Sequence, residues 1–261
     1  MTENIKKRNK KRNLLSSIIL VIALGIFCYA GYNLWLIFSE YQKGTSEYKS
    51  LQEIATIQTQ SSESQKEPSF VVDFDKLVEI NSDVVAWIRF EEPKKISYPV
   101  VFGVDNSKYL TTTFEGKSNS SGTLFIDMQN QKSFSDKNTF IYGHNMKNGS
   151  MFGRLREYKS AEFCKEHPYF YIYTPDGKES TYQIFAVSIV KDVSESYTKY
   201  FANDTEFENY LAYTRKSSLY QTDVETDASS TIVSLSTCTN VSPDERLLVQ
   251  GVKISEKVAG E

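Results

Sequence analysis

The amino-acid sequence predicts a mainly β domain, built as a closed or nearly closed barrel, and three observations support this fold class. Seven or more short β-rich segments recur along the chain, turn residues separate them, and only two helical inserts interrupt them. The chain has 261 residues, of which 40% are hydrophobic, and this suffices for one folded domain with appendages. Its three cysteines are too few for a disulfide framework.

The N-terminal residues predict a membrane anchor. Six of the first 13 residues are basic, and the next 25 residues, 14–38, carry no charge. As a helix, this run would extend over about 37 Å, which exceeds the roughly 30 Å hydrocarbon core of a bilayer. Because basic residues stay on the cytoplasmic side, we expect a cytoplasmic tail at 1–13, a single-pass transmembrane segment at 14–38 and an extracellular remainder. A cleaved signal peptide is the alternative, but its apolar region would be shorter, about 7–15 residues.

The charge pattern beyond the anchor excludes one class of partner. The formal net charge of the chain is −3, and without the basic tail the remainder is more acidic still. A nucleic-acid groove needs positive charge spread over a folded face, so we expect no nucleic-acid partner. Residues 39–69 are rich in Ser, Gln, Glu and Lys and predict a short helix followed by a flexible extracellular stalk. Apolar residues become dense from Phe70, which places the folded domain at 70–261.

The elements of this domain follow from hydrophobic periodicity. The spacing of Phe74, Leu77 and Ile80 predicts a short helix, and the apolar run after it predicts the first strand. Further strands are predicted, in order, within ISYPVVFG, GTLFIDM, NTFIYGH, YFYIYTP, STYQIFAVSIV, STIVSLSTC and RLLVQGVKI. The Asp-Gly pair in residues 173–177 favours a tight hairpin turn. Helical inserts are predicted at 151–166 and 204–216.

Two residues suited to catalysis follow predicted strands. His144 comes soon after one apolar strand, and Cys238 ends another and precedes a polar loop. Strand ends on a rigid scaffold are common positions for catalytic side chains. The other histidine and the other cysteine outside the anchor, His167 and Cys164, fit a helix end with Cys164 facing inward. No Cys-x-x-Cys or His-Glu-x-x-His pattern occurs, so we expect no metal and no cofactor.

Arg246 opens the strand that follows Cys238. If this strand returns antiparallel, the intervening loop brings Arg246 close to Cys238. A thiolate can attack a carbonyl, an imidazolium such as that of His144 can protonate the departing amine, and a guanidinium can stabilise the oxyanion. Taken singly, a strand-end His or Cys is more often structural, and an Arg there is usually a surface charge. Spacing alone therefore leaves both interpretations open.

Several motifs together carry a resemblance to a known family. They are IYGHNM at 141–146, GSMF at 149–152, LSTC at 235–238 and Arg246, with NSDVVAWI at 81–88, YPVV at 98–101, DNSKYL at 105–110 and SGTLFID at 121–127. With these motifs, residues 70–255 resemble the sortases, the membrane-anchored cysteine transpeptidases of Gram-positive bacteria, and class B in particular. One departure is Thr239, since some class B members have an acidic residue after the cysteine.

The resemblance implies a fold, a reaction and a set of residues. The fold is an eight-stranded β-barrel with N-terminal helices and a long helix between strands six and seven, which the insert at 204–216 matches. The implied enzyme cleaves a C-terminal sorting signal of a surface protein, forms a thioacyl intermediate on Cys238, and transfers the acyl group to an amine of a peptidoglycan precursor or a pilin. His144 is the implied general acid/base, and Arg246 positions the substrate or stabilises the oxyanion. The implied substrate-binding residues are Asn106, Tyr142, Tyr197, Thr198 and Ser236.

Other functions are compatible with the same residues. A secreted cysteine peptidase would use the same nucleophile and base but release the acid to water. A non-catalytic surface adhesin would not need Cys238. A class C sortase that joins pilins often carries an N-terminal lid and a C-terminal membrane helix, and residues 255–261 predict no such helix. The sequence leaves open the sorting motif, the client protein and the amine acceptor.

Overall fold

The chain forms four α-helices and ten strands within residues 2–59, 69–94 and 96–260, which the computed structural model describes. The helices are α1 (Thr2–Ala55), α2 (Phe74–Ile80), α3 (Ala161–Glu166) and α4 (Asp204–Ser217). The strands are β1 (Thr56–Thr59), β2 (Ser69–Val72), β3 (Val84–Phe90), β4 (Ser97–Val101), β5 (Leu124–Ile126), β6 (Asn138–Tyr142), β7 (Tyr169–Thr174), β8 (Lys178–Lys191), β9 (Ile232–Cys238) and β10 (Glu245–Val258). Short 3-10 turns lie at Lys108–Leu110, Leu155–Lys159 and Glu195–Tyr197.

Strands β3 to β10 close into a barrel in the order β10-β8-β7-β3-β4-β5-β6-β9. Most neighbouring strands are antiparallel, whereas β4 with β5 and β6 with β9 pair in parallel. The predicted eight-stranded barrel is therefore confirmed. The predicted long helix between the sixth and seventh barrel strands is also confirmed, since α4 separates β8 from β9. The hairpin turn between β7 and β8 uses Gly177, whose φ of 78° suits glycine.

Helix α4 covers one outer face of the barrel. Its buried residues Phe207, Tyr210, Leu211 and Thr214 recur at the three- and four-residue spacing that places them on one side of a helix. This side packs against β8, β9 and β10 in a cluster that includes Phe185 and other apolar residues. Because both faces of these strands are covered here, β9 is buried along nearly its whole length instead of alternating.

The N-terminal helix α1 extends through two compact units, residues 1–43 and residues 44–261. Within it, Ser16–Glu53 includes a stretch that is long and apolar enough to cross a membrane, by length and composition. The predicted transmembrane segment at 14–38 lies in this helix. The exposed apolar residues of the first unit include Leu20, Phe27 and Trp35, as expected for a helix whose surroundings are hydrocarbon.

The end of α1 lies in the segment for which the sequence predicted a short helix followed by a flexible stalk, and it packs against the barrel. Leu51 is fully buried, and Tyr48 is buried with its hydroxyl donating to the carbonyl of Gly122. Gln52 donates to the carbonyl of Ser97 at 2.6 Å, at the start of β4. Residues 56–59 then pair with 69–72 as the hairpin of β1 and β2. The folded unit therefore takes in residues 44–59 of the predicted stalk, while residues 60–68 lie outside the described residues.

The packing of α1 predicts a measurable loss of stability. Leu51→Ala should lower the free energy of unfolding by about 2–5 kcal/mol, because it removes buried methyl groups and leaves a cavity. Urea unfolding of the 44–261 fragment measures this change. Lys49→Ala is the matched control on the same helix, because the Lys49 side chain is 76% exposed. Equal midpoints for Leu51→Ala and Lys49→Ala would contradict the packing of this helix end.

Candidate active site

Parallel pairing of β6 with β9 brings His144 and Cys238 together. Tyr142 is in register with Ser236, and the Gly143 N–H donates to the Ser236 carbonyl at 3.1 Å. His144 and Cys238 each lie two residues beyond this pair, so their side chains fall on the same face as those of Tyr142 and Ser236. All four side chains line one cavity of about 480 Å³. His144 and Cys238 therefore lie at the ends of β6 and β9, where the sequence placed them, and both line this cavity, while their catalytic roles stay predictions.

Hydrogen bonds between the two loops fix the backbones of these residues. The Asn145 side chain donates to the Cys238 carbonyl at 2.7 Å, and the Asn240 side chain donates to the Asn145 carbonyl at 3.0 Å. Gly143 allows close packing just before His144, because a Cβ at this position would lie 2.3 Å from Leu124 Cδ2. The loops after β6 and β9 are therefore held to each other by side chains that take no direct part in the cavity wall.

A backbone carbonyl orients the His144 ring. His144 Nε2 lies 2.7 Å from the Leu110 oxygen, at the end of the 3-10 turn that borders the cavity. A carbonyl oxygen only accepts, so Nε2 carries the proton of this bond. The other ring nitrogen, Nδ1, is then the atom able to exchange a proton with a bound substrate. The group that orients the His144 ring, which the sequence did not reveal, is thus a main-chain oxygen.

Arg246 lies beside Cys238 because β10 returns antiparallel to β9. The two residues are direct partners in the strand register, as predicted. The guanidinium Nη1 donates to the carbonyls of Pro243 at 2.7 Å and Glu245 at 3.1 Å, and Nη2 donates to Asp192 Oδ2 at 3.1 Å. Arg246 and Asp192 both line the cavity. The site thus places a thiol, an imidazole and a guanidinium around one space.

The predicted substrate-binding residues divide into two groups. Asn106, Tyr142, Tyr197 and Ser236 line the cavity, and the Tyr197 hydroxyl lies 2.8 Å from Ser236 Oγ. Burial, above all, raises the pKa of Tyr197 to about 12, so its hydroxyl stays protonated and able to donate. Thr198 is not on the cavity wall. Its hydroxyl instead donates to the Glu195 carbonyl and closes the 3-10 turn. A substrate contact by Thr198 stays a prediction.

A buried ion pair supports this side of the cavity. Lys199 Nζ lies 3.2 Å from Asp127 Oδ2, and the two side chains are 13% and 3% exposed. The Tyr142 hydroxyl donates to the same carboxylate at 2.8 Å. Burial alone would raise the pKa of Asp127, but the Gln129 N–H, the Tyr142 hydroxyl and the Lys199 ammonium together hold this pKa below its usual range. The network fixes Tyr142 and the loop that carries Tyr197 to the end of β5.

The lowered pKa of Asp127 predicts a pH-dependent contribution to stability. A carboxylate with a lower pKa in the folded protein stabilises the fold above its unfolded pKa, and this stability is lost as the pH falls through the folded pKa. The difference in free energy of unfolding between wild type and Asp127→Asn should therefore be largest near neutral pH and shrink below about pH 4. Urea titrations across this range measure it. The exposed Asp223→Asn serves as control, and a pH-independent difference at Asp127 would contradict the ionised pair.

Sequence reasoning missed several residues of the site. Asp192 and Lys199 line the cavity, and Asp127 and Asn145 support it from behind. Asp127 and Asn145 stand within the motifs that carry the family resemblance, which was a usable signal. Asp192 and Lys199 stand in a loop between a strand and a helix, where charged residues are ordinary. Leu110 also stands within one of these motifs, at 105–110, but no feature of the sequence marks its main-chain carbonyl as the group that orients His144.

The remaining cysteines and the second histidine lie elsewhere. Cys164 is 3% exposed on α3, and burial, foremost, raises the pKa of its thiol. The prediction that Cys164 faces inward is confirmed. His167 ends α3, and its ring contacts Phe163 with centroids 4.8 Å apart. Cys28 lies on the exposed N-terminal part of α1.

Comparisons with known proteins agree with this geometry. A family model described as the sortase domain matches residues 94–254. Sortase B of Listeria monocytogenes is 29% identical over 252 residues, which cover 95% of this chain and 100% of that protein. Sortase B of Staphylococcus aureus is 29% identical, with 88% of this chain and 91% of that protein covered.

Solved structures show the same similarity. A crystal structure of sortase B from B. anthracis, in complex with AAEK1, aligns with a TM-score of 0.71 at 29% identity and covers 84% of this chain and 100% of that one. A mutant form of Clostridium perfringens sortase B aligns with a TM-score of 0.66 at 31% identity and covers 70% of this chain and 86% of that one. A substrate complex of the Staphylococcus aureus enzyme aligns with a TM-score of 0.65 at 28% identity, covering 70% of this chain and 84% of that one.

Proposed function

The chain belongs to the sortase family, and from this premise we propose that it cleaves a C-terminal sorting signal of surface proteins and transfers them to an amine of cell-wall peptidoglycan. Its relatives are class B sortases, and it is a cysteine transpeptidase of this family. The single observation that carries the proposal is the cavity at the ends of β6, β9 and β10, in which Cys238, His144 and Arg246 meet.

The proposed first half-reaction forms a thioacyl enzyme. The Cys238 thiolate attacks the carbonyl carbon of the scissile bond, and the resulting oxyanion accepts hydrogen bonds from the Arg246 guanidinium. The C–N bond then breaks as protonated His144 gives a proton from Nδ1 to the departing amine. A new C–S bond has replaced the C–N bond, and the leaving peptide carries the proton.

The proposed second half-reaction transfers the acyl group. The acceptor amine attacks the thioacyl carbonyl, and His144 takes the amine proton at Nδ1. The C–S bond breaks, and the Cys238 thiolate is restored. Water in place of the amine would give hydrolysis through the same steps, so the product depends on which nucleophile reaches the thioacyl carbonyl. We propose that Asn106, Tyr142, Tyr197 and Ser236, which line the cavity, bind the sorting signal.

One experiment separates the proposed transpeptidase from the alternatives. The 44–261 fragment is incubated with a sorting-signal peptide library, with and without an amine, and the products are identified by mass. We expect cleavage in both samples and a peptide–amine product in the second, and thiol alkylation should abolish both. A product that the amine does not change would indicate a peptidase. Ligation to a pilin lysine but not to peptidoglycan amines would indicate a pilus-associated sortase. Binding without cleavage would indicate an adhesin.

We also propose a single-pass topology with residues 1–13 in the cytoplasm and the barrel outside. The basic tail and the apolar part of α1 support it. A reporter fused after Glu261 should be accessible on intact, wall-stripped cells, and added protease should remove it. A reporter at the N-terminus of the same chain is the control and should stay protected. Protection of the C-terminal reporter would contradict this topology.

A further inference from the structure

Asp192 stands next to Arg246 on the cavity wall, and the steps above give it no role. Asp192 Oδ2 lies 3.1 Å from Arg246 Nη2, and the two side chains are 40% and 23% exposed. The pair is therefore on the partly exposed wall of the cavity and not in the core. Ion pairs exposed to this degree add about 1 kcal/mol or less to stability, so the pair is poorly explained as a structural brace.

The register of β8 with β10 brings Asp192 close to Arg246. Arg246 pairs with Val190 across β10 and β8, and Glu245 pairs with Lys191. Asp192 is the residue directly after Lys191, and its N–H donates to the Asp244 carbonyl at 2.9 Å. The backbone of Asp192 is thus bound to the same loop that leads into Arg246. This backbone hydrogen bond keeps the main chain of Asp192 beside the residue that carries the guanidinium.

We propose that Asp192 is a positioning residue, which holds the Arg246 guanidinium in the orientation that meets the substrate carbonyl. The inference rests on the proposed function. Among the described residues, Pro243, Glu245 and Asp192 accept from three of the five guanidinium N–H groups, and they do so at both Nη1 and Nη2. A planar group held at two nitrogens cannot rotate about its axis. The donors left at Nε and Nη2 keep a fixed direction for the substrate.

This role and a purely electrostatic one predict effects of opposite sign. If Arg246 acted on Cys238 only through its positive field, neutralising Asp192 would strengthen that field and favour the thiolate. Asp192→Asn would then be at least as active as wild type. If Asp192 instead fixes the direction of the guanidinium, the same substitution loosens the group and lowers the rate of acylation, whatever happens to the thiol.

The test measures the single-turnover rate of acylation by a sorting-signal peptide. Asp192→Asn should lower this rate about 10-fold, which is less than the roughly 10²–10³-fold expected when an oxyanion donor is lost outright. In an Arg246→Lys background, Asp192→Asn should cause no further loss, because the planar group is already absent. The pH profile of Cys238 alkylation should show a thiol at least as reactive as in wild type.

Asp244→Asn is the matched control, since the Asp244 side chain pairs with Lys191 at the end of β8 and, among the described residues, forms no hydrogen bond or ion pair with Arg246. The Asp244→Asn protein should be acylated at the wild-type rate. The proposal is overturned if Asp192→Asn acylates at or above the wild-type rate, or if Asp244→Asn lowers the rate as much as Asp192→Asn does. It is also overturned if Asp192→Asn lowers the rate of acylation by the same factor in the wild-type and Arg246→Lys backgrounds.

A second measurement does not depend on the substrate. Nitrogen-15 relaxation of Arg246 Nε should show faster side-chain motion in Asp192→Asn than in wild type or Asp244→Asn, and equal motion would overturn the proposal. If none of the sorting-signal peptides acylates the wild-type protein, the proposed function fails. The relaxation measurement would still decide the role of Asp192.

Discussion

Replacement of Cys238 by alanine is expected to reduce both peptide cleavage and amine ligation to the uncatalysed background. Cys238 is the thiol on the cavity wall, while Cys28 lies on α1 and Cys164 is a buried residue of α3. Without Sγ no thioacyl bond forms, and the remaining donors can only bind the substrate. Mass spectrometry of peptide products over time measures the effect, and a wild-type sample trapped during turnover should carry the acyl group on Cys238.

Cys164→Ala is the control for this prediction. It removes a thiol of the same domain that does not line the cavity, so its rate of cleavage should match that of wild type. Urea unfolding of both variants separates loss of chemistry from loss of structure. Residual turnover of more than a few per cent in a folded Cys238→Ala protein, or an acyl group found on another residue, would contradict the assignment of the nucleophile.

The approach of Arg246 to Cys238 could be predicted because it depends on local features. A short polar loop between two apolar runs predicts an antiparallel return, and that return makes the two residues partners in the sheet. The meeting of His144 with Cys238 is different, since β6 and β9 pair in parallel across a large separation in sequence. No spacing rule reports such a pairing, and only the family resemblance placed these two side chains together.

Other features were beyond sequence reasoning for physical reasons. A main-chain carbonyl has the same chemistry at every residue, so nothing marks Leu110 as the group that orients His144. Asp192 acts through the register of β8 with β10, and a shift of one residue would have turned it away. A short helix was predicted at the end of α1, but its packing against the barrel was not, because its apolar stripe is short. Its packing depends on Tyr48 and Leu51, which contact a surface formed by distant residues.

His144→Ala should lower the rate of acylation by about 10²–10⁴-fold, the usual worth of a general acid or base. The imidazolium is needed because an amine leaves poorly without a proton, and Nδ1 is the nitrogen that the Leu110 carbonyl leaves available. The deficit should therefore shrink when the scissile amide is replaced by a thioester, whose leaving group departs without protonation. Single-turnover rates on matched amide and thioester peptides measure this difference.

His167→Ala is the matched control, because His167 ends α3 away from the cavity wall, and it should leave both rates unchanged. Cys238→Ala should be inactive on both substrates, since the nucleophile is needed whatever the leaving group. If His144→Ala lowers the rate of acylation equally on the amide and the thioester, the ring serves to ionise or place Cys238 and not to protonate the amine. Full activity on the amide would remove His144 from the mechanism.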